Sequence, residues 1–163
     1  MKTFIPCFLI LLWMLSTGCL KQDTGCPYKD NSVVAPSSEE QMVLNYLNSN
    51  NITAIKHGSN MYYQTITAGT GGSPNICSGV VITYTGKLLN GTVFDQGSDK
   101  MFVLGSLIEG MKKGIPLIQK GGTIRLFIPP TLGYGPNDIK DINNVVIIPA
   151  NSVLIFDVTL VSF

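Results

Sequence analysis

A chain of 163 residues with 45% apolar and 13% charged residues has the composition of one folded domain with short appendages, not of a disordered segment. Its formal charge is +1, one of its cations (Lys2) lies in a segment that reads as removable, and no basic stripe runs along the rest. Recognition of nucleic acid or another polyanion is therefore not expected.

The amino terminus has the layout of an export signal: Lys2, the apolar run Phe4 to Leu15, then Ser16-Thr17-Gly18-Cys19. The run is shorter than the roughly 20 helical residues needed to cross a bilayer core. Gly18-Cys19 resembles a bacterial lipobox, although Ser16 stands where Leu is usual and Leu15 lies one place earlier. The expectation is a signal peptide over 1–18 and lipidation at Cys19, which would make the protein a periplasmic or outer-membrane lipoprotein of a bacterial cell envelope. Ordinary secretion and an uncleaved anchor are the alternatives. Acyl chains contribute about 0.8 kcal/mol per buried CH₂, so the membrane would be an anchor point. Cys7 would leave with the signal, whereas Cys26 and Cys77 could either pair in an oxidising compartment or stay free.

Residues 19–36 are polar and lack apolar period, which predicts a linker. A helical extension is expected over 37–59. Ser37 and Glu40 have capping-box spacing, and Met42, Val43, Tyr46 and Leu47 share one helical face. So short a helix should dock on the main domain, with a dimer contact as the sharper alternative; a monomer is expected. The main domain is expected over 60–163. From Asn60 to Ala68 the period changes to two, and Gly69 to Pro74 then breaks the strand. Later strands are expected at Val80–Leu89, Thr92–Asp95, Gly122–Ile128 and Ser152–Val161. Asn90-Gly91 signals a primed two-residue turn between the first two. Ile108 to about Ile118 is the helical candidate, limited by Gly114 and Pro116. Many strands and one short helix predict an α+β fold with an antiparallel sheet packed on that helix.

The motifs Tyr84-Thr85-Gly86-Lys87-Leu88-Leu89-Asn90-Gly91-Thr92-Val93-Phe94-Asp95, Phe102-Val103-Leu104-Gly105, Leu107-Ile108-Glu109-Gly110, Arg125 to Pro130, Gly133-Tyr134-Gly135 and Leu154 to Val158 occur in a fixed order. Together they resemble the FKBP family of peptidyl-prolyl cis-trans isomerases. The resemblance implies an antiparallel half-barrel of five or six strands curving around one helix. It implies isomerisation of Xaa-Pro bonds in proline-containing polypeptides, without a cofactor or metal, and binding of macrolide inhibitors. The lone His57, with no acidic or Cys cluster beside it, fits that expectation.

By the same resemblance, Tyr84, Phe94, Phe102, Leu107, Ile108, Tyr134, Ile148 and Phe156 would wall a pocket. The Ile108 N–H and the Tyr134 hydroxyl would donate to substrate carbonyls, and Asp95 would sit at the rim, bonded to Tyr84 or facing the proline carbonyl. Taken singly, Phe94, Leu107 and Phe156 are equally readable as plain core. Two departures bear on activity. Met111 stands where the family usually places a Trp floor, and Lys100 falls near a place often held by an aromatic. The loop Pro136 to Val146 is longer than in compact members and is expected to overhang the groove, as a partner-selecting element or a plain surface insertion.

Overall fold

Alternation of side chains across the later strands builds two apolar layers from a single sheet. In the computed structural model, which describes residues 25–163, the strands are β1 (Ile55–Lys56), β2 (Tyr62–Thr67), β3 (Gly79–Leu88), β4 (Val93–Val103), β5 (Thr123–Ile128), β6 (Ile139–Lys140), β7 (Val146–Ile148) and β8 (Leu154–Ser162). Helices α1 (Ser37–Ser49) and α2 (Glu109–Gly114) complete the set. The signal peptide over 1–18 and the lipidation at Cys19 lie outside the described residues. Six strands form one antiparallel sheet in the order β1-β2-β5-β8-β3-β4, and β6 pairs with β7 alone. The expected α+β class is what forms.

On β5 and β8, Ile124, Leu126, Ile128, Leu154, Phe156 and Val158 point to one face and join the main core with Ile82, Leu104, Met111 and Ile115. The intervening Phe127 and Ile155 point to the other face, where Val43 and Leu47 of α1 cover them. Helix α2 lies on the first face, close against β5. A Cβ at Gly110 would come 2.5 Å from Ile128 Cγ2, and one at Gly114 2.5 Å from Leu126 Cδ2. These two glycines, four residues apart, let the backbone of α2 approach the sheet. The helix is shorter than 108–118, because Pro116 lacks the N–H an α-helix interior requires and the chain tightens into a 3₁₀ turn at Ile115–Leu117.

Several local expectations are corrected. The capping box does not form: Pro36 is the N-cap, and the Glu40 carboxylate instead accepts from the Tyr62 hydroxyl at 2.8 Å and pairs with Lys56 at 2.6 Å. Tertiary partners have taken the group that would have closed the box. Met42 is 39% exposed although its face-mates Val43 and Leu47 are buried. At the β3–β4 connection only Gly91 of the Asn-Gly pair has positive φ (88°). Gly91 N–H bonds Leu88 O and Leu88 N–H bonds Thr92 O, each at 2.9 Å, so this is a three-residue turn with its glycine in the left-handed position. Strand β4 runs eight residues past Asp95, to Val103. The Pro136 to Val146 loop contains the β6 strand and leads into β7, with Ile142, Val145, Val146 and Ile147 all exposed.

Residues 25–36 have no regular secondary structure but are fastened to the domain. Cys26 and Cys77 form a disulfide with Cα atoms 5.7 Å apart, deciding between the paired and free alternatives. Tyr28 packs where a Cβ on Gly105 would overlap its ring. Lys113 Nζ donates to Asn31 O at 2.6 Å, and Ala35 N–H donates to Ser59 O at 3.0 Å. His57 is engaged locally, with Nδ1 2.8 Å from the Ser59 hydroxyl.

Candidate active site

Period-two alternation puts Ile82 and Tyr84 of β3 and Phe156 of β8 on the sheet face that carries α2. Between that face and the start of α2 lies a cavity of about 250 Å³. It is lined by Ile82, Tyr84, Asp95, Phe102, Ser106, Leu107, Ile108, Met111, Tyr134 and Phe156. Eight of these come from the sequence-derived set; Ile82 and Ser106 do not. Ile82 was within reach of sequence reasoning, since it sits two residues before Tyr84 on the same strand face. Ser106 carried no distinguishing signal; its hydroxyl donates to Val103 O at 2.7 Å in the 3₁₀ turn ahead of Leu107.

Two of the expected wall residues stand elsewhere. Ile148 is 3% exposed and pairs across from Ile139 in the β6–β7 hairpin, so the core has absorbed it. Phe94 stands behind the lining, its ring edge-to-face on Phe156 (5.5 Å between centroids) and on Tyr134 (6.4 Å). A bulge puts it there: Gly86 opposes Asp95 while Lys87 opposes Val93, leaving Phe94 as the extra residue. Gly86 is also required, because a Cβ there would sit 2.7 Å from the Phe94 ring and 2.8 Å from the Phe156 ring. Tyr84 completes the aromatic wall, 6.1 Å from Phe102 and 6.3 Å from Phe156. Lys100 is exposed on β4 and does not reach the cavity.

Few polar groups accompany this lining. The Tyr84 hydroxyl donates to Asp95 Oδ2 at 2.9 Å. Burial, then that bond, then the Asp95 charge push the Tyr84 phenol up to about 12, while burial and the same carboxylate raise the Tyr134 phenol. Both hydroxyls are therefore neutral donors at physiological pH. The Ile108 N–H, immediately before α2, has no protein acceptor among the described residues, and neither does the Tyr134 hydroxyl. An aromatic-walled hollow with two free donors can hold an apolar ring and grip the carbonyls beside it.

The raised phenol has a measurable consequence. An unfolded Tyr84 titrates near 10, so its neutral form favours the folded state fully below about pH 10, and that contribution is lost as pH rises through about 12. In an absorbance titration Tyr62 and Tyr84 should both ionise near 12, and Tyr134 should also ionise above the ordinary phenol range. Tyr84→Phe should remove one of the two steps near 12 and leave that of Tyr62.

An antiparallel sheet on a short helix, with an aromatic-walled cavity between them, defines a binding fold that works by enclosure. The model of the "FKBP-type peptidyl-prolyl cis-trans isomerase" family matches residues 71–161. The chain is 45% identical over 85 residues to the FKBP-type peptidyl-prolyl cis-trans isomerase FkpA of Buchnera aphidicola subsp. Schizaphis graminum, covering 50% of this chain and 31% of that protein. It is 39% identical over 104 residues to FkpA of Escherichia coli K12, covering 61% and 36%. The crystal structure of E. coli FkpA superposes with a TM-score of 0.65 at 33% identity, over 77% of this chain and 59% of that one. The chain belongs to the FKBP-type peptidyl-prolyl cis-trans isomerase family. It spans about a third of the length of these two curated relatives.

Proposed function

We propose that the protein is a peptidyl-prolyl cis-trans isomerase acting on Xaa-Pro bonds of exported polypeptides and assisting their folding at the bacterial cell envelope. The observation that carries this reading is the convergence of Tyr84, Phe102, Leu107, Ile108, Met111, Tyr134 and Phe156 on one cavity with unpaired donors at its wall. Rotation about a prolyl amide meets a barrier of about 18–20 kcal/mol, because resonance keeps the bond planar. The twisted amide has lost that resonance and part of its charge separation. A water-poor apolar hollow therefore favours the twisted form over the planar one. Each 1.4 kcal/mol of that preference is about tenfold in rate.

In this reading Met111 and Phe156 receive the proline ring. The Ile108 N–H and Tyr134 hydroxyl hold flanking carbonyls, and Asp95 fixes Tyr84 at the rim. Phe94 acts by bracing Phe156 and Tyr134. No cofactor is needed, and a macrolide of the kind the family binds would compete for the same hollow. A lipid at Cys19 would hold the domain, as a monomer, at the membrane. Among the described residues no helix is long and apolar enough to cross one.

A second reading, a holding module with little turnover, draws on the flexible Met111 floor and the exposed apolar hairpin at Ile142, Val145 and Val146. Isomerisation of a short Xaa-Pro peptide separates the two. Phe94→Ala and Tyr134→Phe should each lower kcat/KM, the first by about 10²-fold, through lost placement of two rings. Unchanged turnover in both variants would remove the cavity from the mechanism.

A further inference from the structure

On the sheet face opposite this cavity, a groove runs between α1 and the β3–β4 turn, and nothing in the proposed isomerase mechanism uses it. Exposed Met42 and Tyr46, half-buried with its ring 6.3 Å from that of Phe127, form one wall. Ile52, Phe127 and Ile155 form the base at one end, and Val153 lies at the other. Two depressions of about 280 Å³ each make up the groove, and they share Leu88, Leu89 and Asn90, so it is elongated.

One end of the groove is charged. Arg125 donates from Nε to Asp157 Oδ1 at 2.5 Å and from Nη2 to Oδ2 at 3.1 Å, and Lys87 Nζ donates to the same Oδ2 at 3.2 Å. Among the described residues no other acidic side chain pairs with either cation. Two positive charges thus share one carboxylate, and both cations retain free donors. All three side chains are partly exposed, at 39%, 33% and 28% for Arg125, Lys87 and Asp157.

We propose that this groove is a second polypeptide site, which takes a segment carrying a carboxylate beside bulky apolar side chains. Charge complementarity selects the carboxylate, for which Arg125 and Lys87 supply the unpaired donors. The apolar floor and the length of the groove select the flanking side chains. The site lies across the sheet from the isomerase cavity, so a client could occupy both at once and gain in effective concentration.

The test is fluorescence anisotropy with a labelled, proline-free peptide, acetyl-Leu-Phe-Leu-Glu-Leu-amide, and its Gln counterpart. The Glu peptide should bind at least about fivefold tighter than the Gln peptide, with the advantage shrinking as salt is added. Lys87→Gln, which leaves the bidentate Arg125–Asp157 pair intact, should shrink that advantage by removing one of the two cations. Met42→Glu should weaken the Glu peptide further by opposing its charge at an exposed wall. A family macrolide should not displace the peptide, and prolyl turnover measured in parallel should not change in Lys87→Gln. Equal binding of the two peptides, displacement by the macrolide, or an unaltered preference in Lys87→Gln would each overturn the proposal. None of these results depends on whether the wild-type chain turns over an Xaa-Pro peptide.

Discussion

Phe156→Ala should abolish measurable isomerisation and lower folding stability by about 3–5 kcal/mol. The side chain is 2% exposed and belongs at once to the main core and to the cavity lining. Its ring supports Tyr84 on one side and Phe94 on the other, and Phe94 in turn supports Tyr134. Truncation would open the wall to water and let three rings relax into the vacated space, which cancels the apolar preference for a twisted amide. Denaturant midpoints would report the stability loss, and peptide turnover well below the midpoint would report the rest. Phe156→Leu is the informative companion. It should retain most of the stability but lose the edge-to-face contacts, so its activity should fall further than its midpoint.

Cys77→Ser should cost about 4 kcal/mol in the chain-entropy model, since the cross-link closes a loop of 51 residues. Cys26→Ser should match it, because either change removes the same bond. The lost order should be concentrated in residues 25–36, where hydrogen exchange at the Ala35 N–H, which donates to Ser59 O, should speed up. The cavity should feel this change weakly, through Tyr28. That ring occupies the space beside Gly105, one residue before Ser106 of the lining. Adding a reductant to the wild-type chain should reproduce the destabilisation, and neither Cys variant should respond further. A wild-type midpoint indifferent to reductant would mean that the bond adds nothing to the folded state.

How much of this was readable from residues alone varies by element, for physical reasons. Strands β3, β5 and β8 announced themselves because both their faces are specified, one by the main core and one by α1 or solvent. Strand β4 did not beyond Asp95. It is an edge strand, its sequence Gln96-Gly97-Ser98-Asp99-Lys100 has no alternation, and it is held by backbone pairing with two irregularities in register. The capping box failed because Glu40 finds Lys56 and Tyr62, which are distant in sequence. Seven of the ten cavity-lining residues lie in the ordered motifs, and an eighth, Met111, was legible as a departure from the family pattern. The displacement of Phe94 behind the wall depends on a bulge, and the burial of Ile148 depends on a hairpin that pairs the expected loop's Ile139 with Ile148 just beyond it. Neither leaves a mark in composition or period. The pairing of Cys26 with Cys77 is likewise a matter of where the amino-terminal segment lies.

The most direct test of the central claim is exchange NMR on an Xaa-Pro peptide with the protein present in trace amounts, together with amide shift mapping on the protein. A cavity that lowers the rotation barrier should speed cis–trans exchange, with shifts gathered at Asp95, Ile108, Met111 and Tyr134 and cancelled by a macrolide. Shifts at those same amides with exchange no faster than in free peptide would contradict it, and would leave a hollow that grips proline without turning the bond.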